Sequence, residues 1–239
     1  MKELVFIHGS GDSARVWSAQ MDYLRQFSSL RAEAIDLPGH GLRPDTLSGE
    51  VSVADYAEAV NSAIRSELQM EKPIIVGHSL GGAIALMMAL LYGSLVSGLI
   101  LIGTGARLRV YPELLAEARL SPAQAKRRVT EMAVLPANKD TLAQQLLQEV
   151  SPSTIAMTYR DLNACNQFDV LLRLYEIQVP TLIICGAEDR LTLPKYSEYL
   201  RQKIVGAELH VVPDAGHYVM REQPEVVNGL ISEWVERVG

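Results

Sequence analysis

The sequence predicts an α/β fold: a three-layer α/β/α sandwich on a mostly or wholly parallel sheet of about six strands. Two observations carry this. Short β-rich apolar runs alternate with helical patterns, the rhythm of βαβ units with right-handed crossovers. Most of those runs are continuously apolar, the mark of strands buried on both faces. A third observation shapes the expectation: the rhythm stops between Gly103 and Val179. That interval has helical segments, punctuated by Pro112, Pro122, Pro136 and Pro152, and no strand signal. A single domain over 1–239 is expected, its core formed by 1–102 and 180–239 and interrupted by an all-helical insertion over 103–179.

Taken in order, the candidate strands are "ELVFIHG" (3–9), "RAEAIDL" (31–37), "PIIVGHS" (73–79), "VSGLILIG" (96–103), "PTLIICG" (180–186) and "AELHVVP" (207–213). Between the second and third, Ser52 to Leu68 opens on "SVAD", a capping-type start. It places Val53, Tyr56, Ala57, Val60, Ile64 and Leu68 on one face. The last helix, 223–237, repeats Val226, Val227, Leu230, Ile231, Trp234 and Val235 at helical spacing. Both stripes read as core.

Composition excludes several classes. The formal net charge is -6, and no basic run with interleaved aromatics suggests a nucleic-acid groove. Cys165 and Cys185, twenty positions apart, match no zinc or redox spacing and read as small buried apolar residues. The apolar run Leu4 to Ile7 is too short for a signal peptide, and Ala83 to Tyr92 is too short to span a membrane. A cytoplasmic protein is expected.

The chemistry starts at Gly77-His78-Ser79-Leu80-Gly81, which fits the nucleophile-elbow pattern G-x-S-x-G. A serine on a sharp strand-to-helix turn has strained backbone angles. Side chains two residues to either side would collide with the neighbouring strand and helix. The pattern alone is weak, and a plain turn serine is the alternative. An apolar β-run before it and an apolar helix after it supply the context the motif demands. The hydroxyl would then stand at a helix N-terminus, where partial positive charge favours anions.

A serine nucleophile needs a base, and the base needs an orienting carboxylate. Downstream of Ser79 the histidines are His210 and His217. His210 lies inside "ELHVV" and reads as a strand residue. His217, in "DAGHYV", lies just past that strand, at the carboxyl edge where ligands bind in open α/β sheets. Glu188 and Asp189 follow the strand "TLIICG" at the same edge, and Asp214 is a further acid that shapes the histidine's loop. Two backbone N–H groups are needed for a developing oxyanion. Leu80, directly after the serine, supplies one, and Ser10 in "HGSG" the other; the alternative for Ser10 is a hydroxyl that caps the next helix. Gly9 and Gly11 lack the third glycine of a dinucleotide fingerprint, and there is no GK[ST] loop or HExxH.

In family order the chain carries "FIHGSGDSARVW", "IDLPGHGLRP", "VGHSLGG", "TLIICGAEDRLTLP" and "PDAGHYVMREQPEVV". Over 4–102 and 180–237 it resembles the α/β-hydrolase superfamily, of the small soluble type, with 103–179 as its variable lid. The resemblance implies Ser79 as nucleophile, Asp189 rather than Glu188 as the acid, His217 as base, and Ser10 and Leu80 as oxyanion amides. It makes His8, His40 and His78 structural or pocket-lining. One departure stands out. The strands that usually precede the "HG" strand are absent, leaving an edge for the chain's own loops or a second protomer to cover; a monomer or a homodimer is expected.

A serine at the elbow points to acyl transfer with a small-molecule acyl substrate and requires no metal or organic cofactor. The expected activity is hydrolysis of an ester of small to medium acyl chain. Carbon–carbon bond hydrolysis and acyl transfer use the same triad, and a ligand-binding receptor on this fold is the rival of another class. Candidate pocket residues in the interval are Leu114, Leu115, Met132, Leu135, Leu146, Leu147, Met157, Tyr159 and Phe168, most of them serving its own core. Arg107, Arg109, Arg127, Arg128, Arg160 and Arg173 read as solvated surface, with an acidic substrate as the alternative.

Overall fold

A computed structural model describes residues 1–238. The six strands are β1 (Lys2–Ile7), β2 (Leu30–Ile35), β3 (Ile74–His78), β4 (Gly98–Ile102), β5 (Thr181–Gly186) and β6 (Glu208–Val212). They form one sheet in the order β2-β1-β3-β4-β5-β6, and every neighbouring pair is parallel. The mostly or wholly parallel sheet read from the sequence is therefore wholly parallel.

Strand alternation divides the interior into two cores. Val5, Ile7, Ile75, Leu99, Leu101 and Ile183 pack into one; Leu4, Phe6, Ile74, Val76, Ile100 and Ile102 pack into the other. Apolar residues are needed on both faces, which is why the strands read as unbroken apolar runs. The first core is covered by α2 (Val53–Ala63), α3 (Leu80–Tyr92) and α9 (Pro194–Lys203). The second is covered by α1 (Ser18–Leu24) and α11 (Pro224–Arg237), with α10 (Val219–Glu222) between the last strand and α11.

Local signals explain the helix ends. Ser52 and Asp55 form a reciprocal capping box at the start of α2, as "SVAD" predicts. The helix runs on through a π-turn, Ile64–Leu68, and stops at Gln69 in the left-handed region, φ 53°. The stripe on α11 is narrower than its periodicity predicts. Val227, Ile231, Trp234 and Val235 are buried, whereas Val226 is 47% exposed because it lies at the margin of the face turned to the sheet.

Between β4 and β5 the chain forms α4 (Pro112–Leu120), α5 (Pro122–Ala133), α6 (Leu142–Gln148), α7 (Pro152–Ala156) and α8 (Thr158–Gln167). A lone antiparallel bridge, Arg107 to Asp169, ties the two ends of this insertion together. Leu114, Ala118, Ala125 and Leu162 give it a small core of its own. Among the described residues no helix is long and apolar enough to cross a membrane.

The order of connections positions the site. From β1 the chain moves outward to β2, then returns to the other side of β1 for β3. The crevice beyond the carboxyl ends of β1 and β3 is thus a topological switch point, where open α/β sheets bind ligands. The turn after β1 holds Ser10, and the turn after β3 holds Ser79.

Candidate functional site

Ser79 joins β3 directly to α3, with φ 53° and ψ −114°. A non-glycine residue in this region is strained, and the surroundings over-determine it. Its N–H donates to the Ile102 carbonyl at 3.0 Å, and the Thr104 hydroxyl donates to its carbonyl at 2.8 Å. The glycines are required by contact. A Cβ on Gly77 would lie 2.1 Å from the Gly81 carbonyl oxygen, and one on Gly81 would lie 2.2 Å from that of Ile7. Ser79 is partly exposed between buried neighbours.

Asp189 follows β5 and His217 follows β6, and the two side chains meet at the carboxyl edge. Asp189 Oδ2 lies 2.8 Å from His217 Nδ1. Its Oδ1 accepts the Leu191 N–H at 2.8 Å and the Thr192 N–H at 2.9 Å, and the Thr192 hydroxyl donates to Oδ2 at 2.7 Å. Burial alone would raise the Asp189 pKa; the His217 charge and these donors outweigh it and hold the carboxyl below its ordinary value. Thr192 Oγ1 also lies 3.1 Å from His217 Nδ1, so its lone pairs and the carboxylate both favour a proton on that nitrogen. Nε2 is then left as the acceptor. Sequence reasoning missed Thr192, although a carboxylate followed three residues on by threonine is a recognisable self-capping loop.

The other acids and histidines sort themselves by contact. Glu188 Oε2 accepts the Ala215 N–H at 3.0 Å, bracing the histidine loop. Asp214 has φ 51° in that same loop. His210 lies within β6. His8 Nε2 accepts the Leu37 N–H at 3.0 Å, and burial with the nearby His40 charge pushes its pKa down to about 4. His78 Nε2 lies 3.0 Å from the His217 carbonyl oxygen, and burial with the His217 charge pushes it down to about 3. Neutral at ordinary pH, His78 donates to that carbonyl and so links the turn of Ser79 to the backbone of His217. Both cysteines are buried, and burial pushes the Cys165 thiol up to about 12.

Ser79 and His217 line one cavity of about 440 Å³, together with Ser10. Its walls include Leu108, Val110, Leu114, Val129, Met132 and Leu162, all from the insertion. Of the apolar candidates named from the sequence, Leu114 and Met132 reach this cavity, while Leu146 and Phe168 are buried in the two main cores. Arg109 lines the cavity, and Arg160 is engaged with Asp45, Tyr56 and the Pro38 carbonyl. Neither arginine is simple surface. The Ser10 hydroxyl lies 3.5 Å from Cys165 Sγ and caps no helix. Among the described residues the N–H groups of Ser10 and Leu80 make no backbone hydrogen bond. For Leu80 this follows from its place at the first position of α3. No group of three or more metal-ligating side chains occurs among the described residues.

A wholly parallel sheet with its serine turn at the switch point and a helical insertion after β4 defines the α/β-hydrolase fold. Residues 4–230 match the model of the alpha/beta hydrolase family, and the chain belongs to that family. It is similar to a pimeloyl-[acyl-carrier protein] methyl ester esterase of Neisseria meningitidis serogroup A, 29% identical over 252 residues, covering 100% of this chain and 78% of the relative. Among solved structures it is similar to a thermophilic esterase, with a TM-score of 0.86, 34% identity, and coverage of 100% and 91%. It is also similar to Est816, described as an N-acyl homoserine lactone degrading enzyme, with a TM-score of 0.84, 27% identity, and coverage of 98% and 93%.

Proposed function

We propose that this protein is a serine hydrolase that cleaves an ester of small to medium acyl chain through an acyl-enzyme. The observation that carries the reading is the 2.8 Å hydrogen bond from buried Asp189 to His217, which lines the same cavity as Ser79. Membership of the family and the relatives named as esterases support a carboxylic ester hydrolase.

In this reading His217 Nε2 takes the Ser79 hydroxyl proton as Oγ attacks the ester carbonyl. The Ser10 and Leu80 N–H groups hold the resulting oxyanion, and loss of either raises the barrier by about 3 kcal/mol. His217 then gives its proton to the leaving alkoxide. Water, deprotonated by the same nitrogen, attacks the acyl-enzyme and releases the acid and Ser79. Asp189 keeps the imidazole in the tautomer that accepts at Nε2. The helical insertion serves as the lid, and its apolar walls around about 440 Å³ suit an uncharged acyl chain. A cytoplasmic, cofactor-free enzyme completes the reading.

Labelling with a fluorophosphonate, with the adduct mapped by mass, tests nucleophile and base together. The expected adduct lies on Ser79 and is lost in Ser79→Ala, along with turnover of p-nitrophenyl butyrate. Turnover unchanged in Ser79→Ala would overturn the serine mechanism.

A further inference from the structure

The turn after β1 runs from Gly9 to Asp12 and is closed by the Asp12 N–H donating to the Gly9 carbonyl at 3.3 Å. Gly11 has φ +62°, while Ser10 is not among the positive-φ residues, the combination of a type II turn. Types I and II share their ends and differ by rotation of the central peptide, here Ser10–Gly11. Glycine tolerates either sign of φ, so the local sequence leaves that peptide free to turn over.

In the folded protein two opposite charges hold it, both from the helical insertion. Lys126 Nζ on α5 donates to the Ser10 carbonyl at 3.4 Å. Asp161 Oδ2 on α8 accepts the Gly11 N–H at 2.8 Å. The two charged side chains are fully buried. A peptide that turned over would aim its oxygen at the carboxylate and its N–H at the ammonium. Both contacts are repulsive, and burial leaves them poorly screened.

Each charge is itself fixed by further partners. Lys126 Nζ donates to Asp12 Oδ1 at 2.5 Å, and the Tyr218 hydroxyl donates to Asp12 Oδ2 at 3.0 Å. Asp161 accepts from His40 Nε2 at 2.8 Å and from the Tyr56 hydroxyl at 2.5 Å. The turn is thus braced against α2, α5, α8 and the histidine loop at once.

We propose that Lys126 and Asp161 are positioning residues that, by holding the Ser10–Gly11 peptide, keep the Gly9–Asp12 turn closed and thereby aim the Ser10 N–H at the reacting carbonyl. This rests on the reading of Ser10 as an oxyanion donor. The Ser10 N–H lies on the Gly9–Ser10 peptide, whose carbonyl accepts the turn-closing Asp12 N–H, so a turn that the two charges keep closed also fixes the direction of that N–H. The lid, in this account, completes the catalytic apparatus as well as covering the pocket.

The test is a double-mutant cycle between Lys126→Met and Ser10→Pro. Proline suits the second position of a type II turn and lacks the N–H, so Ser10→Pro deletes the donor and keeps the turn. Full loss of a donor lowers kcat about 10²- to 10³-fold; a misaimed one costs part of that, about ten- to a hundredfold in Lys126→Met, with KM within about threefold. Inhibition by a trifluoromethyl ketone should weaken by the same factor, since that ligand mimics the oxyanion. In the Ser10→Pro background the same substitution should change kcat by no more than about twofold, because the group it aims is gone. Asp161→Asn, which keeps shape and removes charge, should act in the same direction. An equal loss in both backgrounds, or a raised KM with kcat intact, would overturn the proposal and leave these residues as lid structure. Ser10→Pro with full activity, alongside an inactive Ser79→Ala, would remove Ser10 as a donor and this proposal with it, while sparing the nucleophile. If Lys126→Met alone does not fold, Lys126→Met with Asp12→Asn takes its place, since no buried carboxylate is then stranded.

Discussion

Asp189→Asn separates the orientation of His217 from the folding of its loop. Oδ1 of the aspartate accepts two backbone N–H groups, from Leu191 and Thr192, and an asparagine oxygen placed there accepts the same two. The loop should therefore keep its shape. The other position, which now receives the Thr192 hydroxyl and faces His217 Nδ1, becomes an NH2 group. That group can only donate, so Nδ1 must turn acceptor and the imidazole proton moves to Nε2. His217 then has no lone pair to offer Ser79. The same tautomer error in a serine protease lowers kcat by about 10⁴-fold, and at about 1.36 kcal/mol per decade this is ~5.4 kcal/mol of barrier. Initial rates on p-nitrophenyl butyrate measure the first effect, and thermal unfolding checks that the fold is kept. A variant that folds normally and retains more than a tenth of the wild-type kcat would refute the tautomer argument.

Two further predictions concern stability. Gly229→Ala should raise stability by about 1 kcal/mol, because the residue lies inside α11 and a Cβ there meets nothing within 4 Å; urea unfolding reads the gain. Asp12, Asp161 and Asp189 are all buried carboxyls held below their ordinary pKa, against burial, by Lys126, His40 and His217 respectively. Their contribution is present above the unfolded aspartate value, about pH 4, and is lost as pH falls through the depressed folded values. Urea midpoints should hold near neutrality and drop steeply below about pH 4, with a shallower acid limb in Asp161→Asn. Equal acid limbs in the two proteins would contradict the Asp161 assignment.

The sheet was legible because its signals are local: unbroken apolar runs for strands buried on two faces, and glycines where Ser79 must turn. His217 and the pair Glu188 and Asp189 were legible from their places just after strands, which a parallel sheet brings to one edge; the choice of Asp189 over Glu188 came from the family resemblance, and the hydrogen bond to His217 agrees with it. The brace from the helical insertion to the turn after β1 was not. Lys126 heads the run Lys126-Arg127-Arg128, and Asp161 follows Arg160, so nothing in the sequence sets either apart from its charged neighbours. Their burial depends on partners far along the chain, Asp12 for Lys126 and Gly11, His40 and Tyr56 for Asp161, and no short window holds both members of such a pair. Thr192 was missed for a different reason: its signal is local, but its value depends on the distant His217.

The insertion leaves the sheet after β4 and re-enters at β5, strands that are hydrogen-bonded neighbours with Leu99 beside Thr181. The sheet closes the same way whatever the intervening chain contains, and doubling a flexible loop costs only about 0.6 kcal/mol. By that measure the insertion is a detachable module, open to exchange for another with a different pocket. The two buried charges set the condition on the exchange. A graft from a relative would inherit the pocket freely, but it would keep the chemistry only if it brought its own cation for the Ser10 carbonyl and its own anion for the Gly11 N–H.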